Sequence, residues 1–258
     1  MGKSLFDIEG KVVLVTGGAR GIGLMLTRAF LIAGARVYIT SRNQDNCYKI
    51  AEKMSDLGEC KALPADLSKI GEIDRLVSDF GGREPHLDVL INNAGTTWGS
   101  TLDDFPEKGW DKVLALNLKS PFFLMQKFLS LLEKAGDKND PSRIINVGSV
   151  DGITNSIFEN ISYSASKAAL HHMTKVAATK LASRYITVNT IAPGPFLTDM
   201  MLPMVDTMGA ATIESEVPMK RLGTDNDIGG VAVFLSSKAA SYITGILLPV
   251  DGGLTAAR

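Results

Sequence analysis

The sequence predicts one α/β domain, built as a doubly wound parallel sheet with helices on both faces. Three observations predict it. Apolar, β-branched runs alternate with segments of helical periodicity along the chain. The first run ends in a glycine-rich turn that opens a helix. No repeat or linker divides the 258 residues, and one such domain commonly reaches this length. We therefore expect residues 1–258 to form a single domain of the Rossmann type.

The elements follow one another in a regular order. The predicted strands are short runs rich in Val and Ile, as buried parallel strands are, and they lie at 11–16, 36–40, 60–65, 87–91, 143–147, 187–192 and 246–250. A first helix follows the glycine turn, with Leu24, Thr27, Phe30 and Leu31 at helical spacing. The later predicted helices lie at 46–57, 73–80, 110–134, 165–181 and 225–235.

The composition limits the kinds of partner. A net charge of −1 gives no basic surface for nucleic acid or for an anionic membrane. The apolar runs are shorter than the roughly 20 residues of a membrane span, and the first residues carry no apolar signal core. Cys47, Cys60 and the three scattered histidines form no metal or disulfide pattern. We therefore expect no metal and a reducing, cytoplasmic setting.

The glycine turn carries the first functional signal. Its spacing is Gly-x-x-x-Gly-x-Gly over residues 17–23, rather than the general Gly-x-Gly-x-x-Gly. A strand, a tight turn and a helix N-terminus together present free backbone N–H groups to an anion. Glycines let the backbone approach a pyrophosphate closely. The turn therefore predicts dinucleotide binding.

The end of the second strand indicates which dinucleotide. An NAD site places an Asp or Glu there to bind the ribose hydroxyls, but this chain has Ser41-Arg42-Asn43. Arg42, with Arg20 from the glycine turn, suits the 2′-phosphate of NADP. After the third strand come Asp66 and Leu67, where the carboxylate either accepts from the adenine amine or caps the next helix.

Two further features lie at the predicted carboxyl edge of the sheet, where open α/β sheets bind ligands. Small residues follow the fourth strand in Asn92-Asn93-Ala94-Gly95. The long helix predicted over 110–134 contains Asn117 and, four residues later, Pro121. Proline has no N–H, so the carbonyl of Asn117 loses its helical donor and is free to hold a water. The alternative is that Pro121 only bends the helix.

Tyr163 and Lys167 stand four residues apart in a predicted helix, so their side chains share one face. A phenol has an ordinary pKa of about 10, and a neighbouring ammonium lowers that pKa. The pair thus predicts an acid–base tyrosine tuned by a lysine. By itself the spacing is more typical of an exposed tyrosine and a solvated lysine, so the other motifs decide.

Taken together, the motifs resemble the short-chain dehydrogenase/reductase family over nearly the whole chain. They are the glycine turn with Thr16 before it, Asn92-Asn93-Ala94-Gly95, Asn117, Ser149, Tyr163-x-x-x-Lys167 and Pro193-Gly194. The segments Thr97-Trp98-Gly99, 109–113, 146–150 and the ending Pro-Val-Asp-Gly-Gly resemble 3-oxoacyl reductases more narrowly. Ser149 lies one residue further from Tyr163 than is common in those reductases, so the loop with Ile153, Ile157 and Phe158 is expected to be reshaped.

The resemblance implies roles for these residues. Tyr163 is the proton donor in reduction, and Lys167 binds the nicotinamide ribose and lowers the phenol pKa. Ser149 binds the substrate carbonyl, and the main-chain carbonyl of Asn117 holds a water that links Lys167 to solvent. Motifs and resemblance together give the expected NADP-binding residues as Gly17, Ala19, Arg20, Gly21, Ile22, Gly23, Ser41, Arg42, Asn43, Asp66, Leu67, Asn93, Ala94, Gly95, Tyr163, Lys167, Pro193, Gly194, Phe196 and Thr198.

The implied reaction is NADPH-dependent reduction of a ketone, with a 3-oxoacyl thioester on acyl carrier protein or coenzyme A as the expected substrate. A methionine-rich segment, 196–223, is expected to cover this substrate, because methionine adapts to irregular apolar shapes; core packing is the alternative. Lys127, Lys134 and Arg143 are candidate contacts for an acidic carrier, although scattered surface charges without a partner are the favoured interpretation.

Two other functions stay open. One is a reductase or dehydrogenase of small ketones, sugars or steroids, and the other is a non-catalytic NADP sensor. His171 and His172 are expected to be structural. The helices at 110–134 and 165–181 are expected to pair with their copies in a homodimer or homotetramer.

Overall fold

The computed structural model describes residues 4–156 and 158–257, and within them seven parallel strands form one sheet in the order β3-β2-β1-β4-β5-β6-β7. The strands are β1 Val12–Thr16, β2 Arg36–Thr40, β3 Cys60–Ala62, β4 Val89–Asn92, β5 Ser142–Val147, β6 Ile186–Pro193 and β7 Leu247–Val250. The chain starts in the middle of the sheet, winds out to β3 and returns to β4 beside β1. The predicted doubly wound parallel sheet is confirmed.

The helices are α1 Gly21–Ile32, α2 Gln44–Met54, α3 Ile70–Gly81, α4 Glu107–Leu114, α5 Ser120–Ala135, α6 Ile161–Leu181, α7 Leu202–Met208, α8 Ala210–Glu216 and α9 Asp225–Ser236. They cover both faces of the sheet. Val13 and Val15 of β1 face one apolar cluster with α1, α2 and α9. Val12 and Leu14 face a second cluster with α3, α5 and α6. Alternate residues of one strand point to opposite faces, so β1 is buried on both.

The helix predicted over 110–134 is not continuous. A π-helical turn, Ala115–Lys119, separates α4 from α5, and the N–H of Ser120 donates to the carbonyl of Ala115, five residues back. In an α-helix the carbonyl of Asn117 would accept from residue 121, but Pro121 has no N–H. The wider turn, a feature common at functional sites, lies at the place where this hydrogen bond is missing.

Other element bounds differ for local reasons. β3 ends at Ala62 rather than 65, and Pro64 cannot donate to the strand ladder. α2 begins at Gln44, because the side chain of Asn43 accepts from the N–H of Asn46 at 2.9 Å. α6 begins one turn earlier than predicted, at Ile161, so Tyr163 lies in its first turn.

Charged side chains meet at the amino edge of the sheet. Lys11 contacts Asp140 at 3.0 Å and Asp88 at 3.9 Å. Arg143, only 1% exposed, donates to Asp140 at 2.9 Å and to the carbonyls of Leu235 and Ser237 at 3.2 and 2.8 Å. The prediction that Arg143 meets a carrier protein is therefore wrong, because its guanidinium is enclosed by backbone acceptors.

Candidate active site

The candidate site lies at the opposite, carboxyl edge, where β1, β4, β5 and β6 end. The strands are parallel and in register, so residues that follow them in sequence meet in space. This brings together the glycine turn after β1, residues 93–95 after β4, Ser149 after β5 and residues 193–194 at the end of β6. The first two turns of α6 add Tyr163 and Lys167.

The glycine turn has the geometry of a phosphate cradle. Gly17 and Gly21 have φ values of 65° and 51°, in the left-handed region that favours glycine. A Cβ on Gly23 would lie 2.1 Å from the carbonyl oxygen of Gly17, so any side chain there would disrupt the turn. No side chain caps the N-terminus of α1, and its first turn holds no acid. The first N–H groups of α1 thus remain open to an anion.

Asn93 and Thr16 brace this turn. The amide of Asn93 donates to the carbonyl of Thr16 at 2.8 Å, and the Thr16 hydroxyl accepts from the N–H groups of Asn93 and Ala94 at 2.9 and 3.0 Å. The side chain of Asn93 therefore holds backbone in place, and any cofactor contact it makes must use its remaining groups. Thr16, which the sequence motif contained without a role, is the anchor that joins β1 to β4.

Two arginines lie at the carboxyl edge of the sheet, Arg20 in the glycine turn and Arg42 after β2. Arg20 and Arg42 are exposed, and neither side chain makes a hydrogen bond or ion pair among the described residues. Asp66 lies nearby and accepts from the Ser68 hydroxyl at 2.7 Å and the Ser68 N–H at 3.2 Å. Burial would raise the pKa of Asp66, but Ser68 and the positive charges of Lys69 and Arg42 lower it below its ordinary value. Two unpaired guanidinium groups and no acid after β2 fit a phosphorylated ribose.

The predicted helix cap at Asp66 is wrong, because α3 begins at Ile70, its N-cap residue is Lys69 and no side chain caps it. The Asp66 carboxylate instead closes a local turn with Ser68, and its contact with the adenine amine stays a prediction. Asn43, by contrast, caps α2 with its side chain. Leu67 is buried in the core. These three residues can therefore reach a cofactor only through their remaining polar atoms or backbone.

Tyr163 is half-buried, and Lys167 is buried. The Nζ atom of Lys167 lies 5.5 Å from the ring centroid of Tyr163 and donates to the carbonyl of Val147 at 2.7 Å. Burial lowers the pKa of Lys167 to about 8. Burial also raises the pKa of Tyr163 to about 12, the nearby Ser149 hydroxyl opposes that rise and the charge of Asp151 adds to it. The net pKa of Tyr163 is therefore raised rather than lowered, and Lys167 is not among the groups that shift it.

Ser149 is oriented to donate. Its hydroxyl oxygen accepts from the N–H of Asp151 at 3.2 Å, which leaves the O–H group for a ligand. The carboxylate of Asp151 is held in turn by the amide of Asn160 at 3.0 Å. Asp151 was not singled out from the sequence, although it follows Ser149 by only two residues.

Asn117 is locked beside Lys167. Its side chain exchanges two 2.9 Å hydrogen bonds with the backbone of Thr96 and donates to the Ser166 hydroxyl at 3.0 Å. A Cβ on Gly95 would lie 3.4 Å from Asn117 Oδ1 and 3.8 Å from Lys167 Nζ. The predicted water on the Asn117 main-chain carbonyl stays a prediction, but Asn117, Gly95 and Lys167 are brought together as expected.

The remaining predicted residues lie beside the glycine turn, after β6 and in the loop before α6. Thr198 lies against the glycine turn, since a Cβ on Gly21 would be 3.5 Å from its side chain. Phe196 is buried against Gly223, and Gly194 packs so tightly on Asp251 that a Cβ would lie 2.7 Å from the Asp251 Cα. Ile153 and Phe158 are exposed in the loop before α6, whereas Ile157 lies outside the described residues.

In the part of the chain that the structure describes, no group of His, Cys, Asp or Glu side chains is arranged to hold a metal ion. None of the described helices combines the length and apolar character needed to cross a membrane.

Known proteins match this chain along most of its length. The family model described as enoyl-(acyl carrier protein) reductase matches residues 17–255. The rhamnolipids biosynthesis 3-oxoacyl-[acyl-carrier-protein] reductase of Pseudomonas aeruginosa is 41% identical over 249 residues, which are 96% of this chain and 97% of that protein. The 3-oxoacyl-[acyl-carrier-protein] reductase FabG of Chlamydia pneumoniae is 37% identical, with 96% and 98% covered.

Solved structures give the same picture. An active-site complex of RhlG from Pseudomonas aeruginosa with NADP has a TM-score of 0.95 at 39% identity, over 98% of this chain and all of that one. A gluconate 5-dehydrogenase from Burkholderia cenocepacia, solved with NADP and tartrate, has a TM-score of 0.91 at 30% identity and 98% coverage of both chains. The likeness therefore extends over nearly the whole chain.

Proposed function

The chain belongs to the short-chain dehydrogenase/reductase family, as its motifs predicted, and we propose that it reduces a 3-oxoacyl thioester to the 3-hydroxyacyl product with NADPH. One observation carries the proposal. Ser149, Tyr163 and Lys167 converge at the end of β5, beside a glycine turn that has the shape of a dinucleotide cradle. The relatives named 3-oxoacyl-[acyl-carrier-protein] reductase support the substrate class.

The residues act on the carbonyl oxygen. NADPH, when bound, supplies the hydride. Tyr163 keeps its proton at neutral pH, because its pKa is about 12, and gives it to the oxygen as negative charge develops there. Ser149 donates its free O–H to the same oxygen and stabilises that charge. Lys167, with a pKa of about 8, is suited to pass a proton toward the phenolate, supplied through a water on the Asn117 carbonyl.

The cofactor choice rests on the arginines. Arg20 and Arg42 offer planar guanidinium groups to a 2′-phosphate, and no carboxylate follows β2. We expect Arg42→Ala to raise the KM for NADPH about tenfold or more and to change the KM for NADH little. Titration of both cofactors with the wild-type protein and this variant tests it. Equal losses for the two cofactors would assign Arg42 a role outside phosphate recognition.

The segment 196–223 is proposed to cover the acyl chain. It contains α7 and α8, and its apolar side chains at Leu197, Met200, Leu202 and Met219 are between 44% and 60% exposed. Exposed apolar surface of this kind marks binding sites, and methionine fits irregular apolar shapes. A chain-like apolar substrate would bury it.

The carrier is proposed to be acyl carrier protein or coenzyme A. Of the basic side chains considered for carrier binding, Lys127 is already paired with Asp74 at 2.5 Å, and Arg143 is buried. The exposed Lys134 remains. We therefore place recognition mainly on the acyl thioester.

A second candidate function has its own support. The gluconate 5-dehydrogenase named above shares the fold and binds NADP, so reduction or oxidation of a small sugar or ketone is the alternative. A non-catalytic NADP sensor is disfavoured, because Asn117, Ser149, Tyr163 and Lys167 are all present.

A substrate panel separates these functions. NADPH consumption is followed with acetoacetyl and longer 3-oxoacyl thioesters on both carriers, with 5-ketogluconate, and with simple ketones. We expect kcat/KM to be highest for thioesters and to rise with acyl length. Preference for the sugar would replace the proposal with the second candidate. NADPH binding without turnover on any member of the panel would favour the sensor.

The protein is further proposed to be a homodimer or homotetramer in the cytoplasm. Phe122 of α5 and Val176 of α6 are 45% and 48% exposed, and Ala165 and Ala168 leave α6 open to a close helix partner. The thiols of Cys47 and Cys60 are free, which suits a reducing compartment. A monomeric mass by light scattering would contradict the assembly.

A further inference from the structure

His171 lies next to Ser149 and Lys167, and the proposed mechanism assigns it no role. It stands one helical turn after Lys167 on α6 and is only 5% exposed. Its Nε2 atom accepts a hydrogen bond from the backbone N–H of Ser149 at 3.4 Å. The imidazole therefore contacts the main chain of the residue whose hydroxyl faces the substrate oxygen.

The backbone around Ser149 leaves room for this ring. A Cβ on Gly148 would lie 2.2 Å from His171 Nε2, and a Cβ on Gly152 would lie 2.7 Å from its Cε1. Side chains at either glycine would displace the imidazole. The turn from Gly148 to Gly152 is thus fitted to a ring at this position.

The imidazole ring of His171 is neutral at pH 7. Burial and the positive charges of Lys167 and Lys175 lower the pKa of His171 to about 4, although the backbone of Gly152 opposes this. A neutral ring that accepts at Nε2 carries its proton on Nδ1. Within the residues that the structure describes, Nδ1 has no hydrogen-bond partner.

Packing alone does not account for the histidine. An unpartnered buried polar atom costs free energy, and an aliphatic side chain at 171 would avoid that cost. What only a polar side chain provides here is the acceptor for Ser149. Because backbone position sets where the Ser149 oxygen lies, loss of the acceptor would move the hydroxyl relative to the substrate.

We propose that His171 is a positioning residue, which holds the main chain of Ser149 so that its hydroxyl meets the developing oxyanion. The catalytic part of the inference rests on the carbonyl reduction proposed above. The competing explanation is that His171 only satisfies a buried N–H and stabilises the fold. A double-mutant cycle distinguishes these, because only positioning depends on the Ser149 hydroxyl.

The variants are His171→Leu, His171→Gln and His171→Asn, each made alone and with Ser149→Ala. Glutamine places an amide oxygen near the position of Nε2, whereas the asparagine side chain is too short to reach Ser149. His172→Leu makes the same change on the exposed side of the helix and serves as the matched control.

We expect His171→Leu and His171→Asn to lower kcat roughly 10- to 100-fold with KM within about threefold, as for a misplaced catalytic donor. His171→Gln should recover kcat to within about fivefold of wild type. In the Ser149→Ala background, His171→Leu should cost less than about twofold. Equal losses in both backgrounds, or failure of Gln to restore kcat, would overturn the proposal.

Hydrogen exchange of the Ser149 amide gives a readout that does not need turnover. Exchange should accelerate in His171→Leu and His171→Asn and return toward wild type in His171→Gln. Unchanged exchange would overturn the contact itself. Absence of wild-type turnover with normal protection of this amide would instead contradict the proposed reaction, and with it the catalytic role, while leaving the contact standing. If His171→Leu does not fold, the Gln and Asn pair carries the same comparison.

Discussion

Buried charged groups are paired with one another at the amino edge of the sheet and unpaired at its carboxyl edge. At the amino edge, Lys11, Asp88, Asp140 and Arg143 pair with one another at distances down to 2.9 Å. At the carboxyl edge, Lys167 is buried with a carbonyl as its hydrogen-bond acceptor, and among the described residues no carboxylate forms an ion pair with it. Asp140 and Asp88 offset only part of the desolvation of Arg143, whose pKa burial still lowers, whereas no partner charge offsets the desolvation of Lys167.

This difference separates stability from function within one domain. The charged groups at the amino edge are held mainly by one another. At the carboxyl edge, burial without a pairing charge shifts the pKa values of Lys167 and Tyr163, as is common for catalytic groups. The contrast predicts that removing a charge should have opposite effects on stability at the two edges.

The largest expected effect is at Lys167. Lys167→Met should lower kcat by about 10²-fold or more, because the proton path is lost, and should stabilise the cofactor-free protein by up to about 3 kcal/mol at pH 7. Its folded pKa of about 8 is below the unfolded value of about 10.4. The unfolded chain thus binds more protons between these values, and wild-type stability rises with pH across this window.

Chemical denaturation at pH 7 and pH 10 checks the stability part. The advantage of Lys167→Met should shrink toward pH 10. Lys175→Met, at an exposed position on the same helix, should change neither property much. A destabilised Lys167→Met protein would break the comparison between the edges.

The opposite sign is expected at Arg143. Arg143→Met leaves two buried carbonyls without their arginine donor and removes one of the two cations that contact Asp140, Lys11 being the other, and it should lower the free energy of unfolding by about 3 kcal/mol or more. The kcat of the folded fraction should stay near wild type, because the site lies at the far edge. Arg184→Met, which breaks an exposed ion pair with Glu133, should cost less than about 1 kcal/mol. Equal losses for the two arginines would show that burial does not matter here.

The smallest predicted effect is a shift of the pH profile. The charge of Asp151 raises the pKa of Tyr163, so Asp151→Asn should lower it, while the Asn side chain can still accept from Asn160. Reduction needs the protonated phenol, and its alkaline loss should therefore begin at lower pH. Profiles of kcat for both directions test this. A shift to higher pH would contradict the assigned electrostatics.

The sequence predicted those features that depend on neighbours in the chain. β-Branched runs define the strands, and the spacing of Gly17, Gly21 and Gly23 defines the phosphate cradle. The strand predicted at 60–65 was too long, and the helix predicted at 110–134 missed the π-helical turn inside it, since the effects of the donors missing at Pro64 and Pro121 depend on the surrounding structure.

Long-range partners could not be predicted. The acceptors of the buried Arg143 lie 92 and 94 residues away in the chain, and only the fold brings them to it. The proposed role of His171 depends on Ser149, which lies 22 residues before it. The sign of the Tyr163 pKa shift also failed. A spacing of four residues shows that Lys167 is near, but the degree of burial, which outweighs it, depends on the whole fold.

The most direct test of the central claim is single-turnover oxidation of NADPH with a 3-oxoacyl thioester, comparing wild type and Tyr163→Phe. Both proteins should bind NADPH equally, as measured by fluorescence titration. Wild type should turn over, and the variant should be slower by about 10³-fold, within the range for a lost general acid. Turnover by Tyr163→Phe at a rate near wild type would contradict the assignment of Tyr163 as the proton donor.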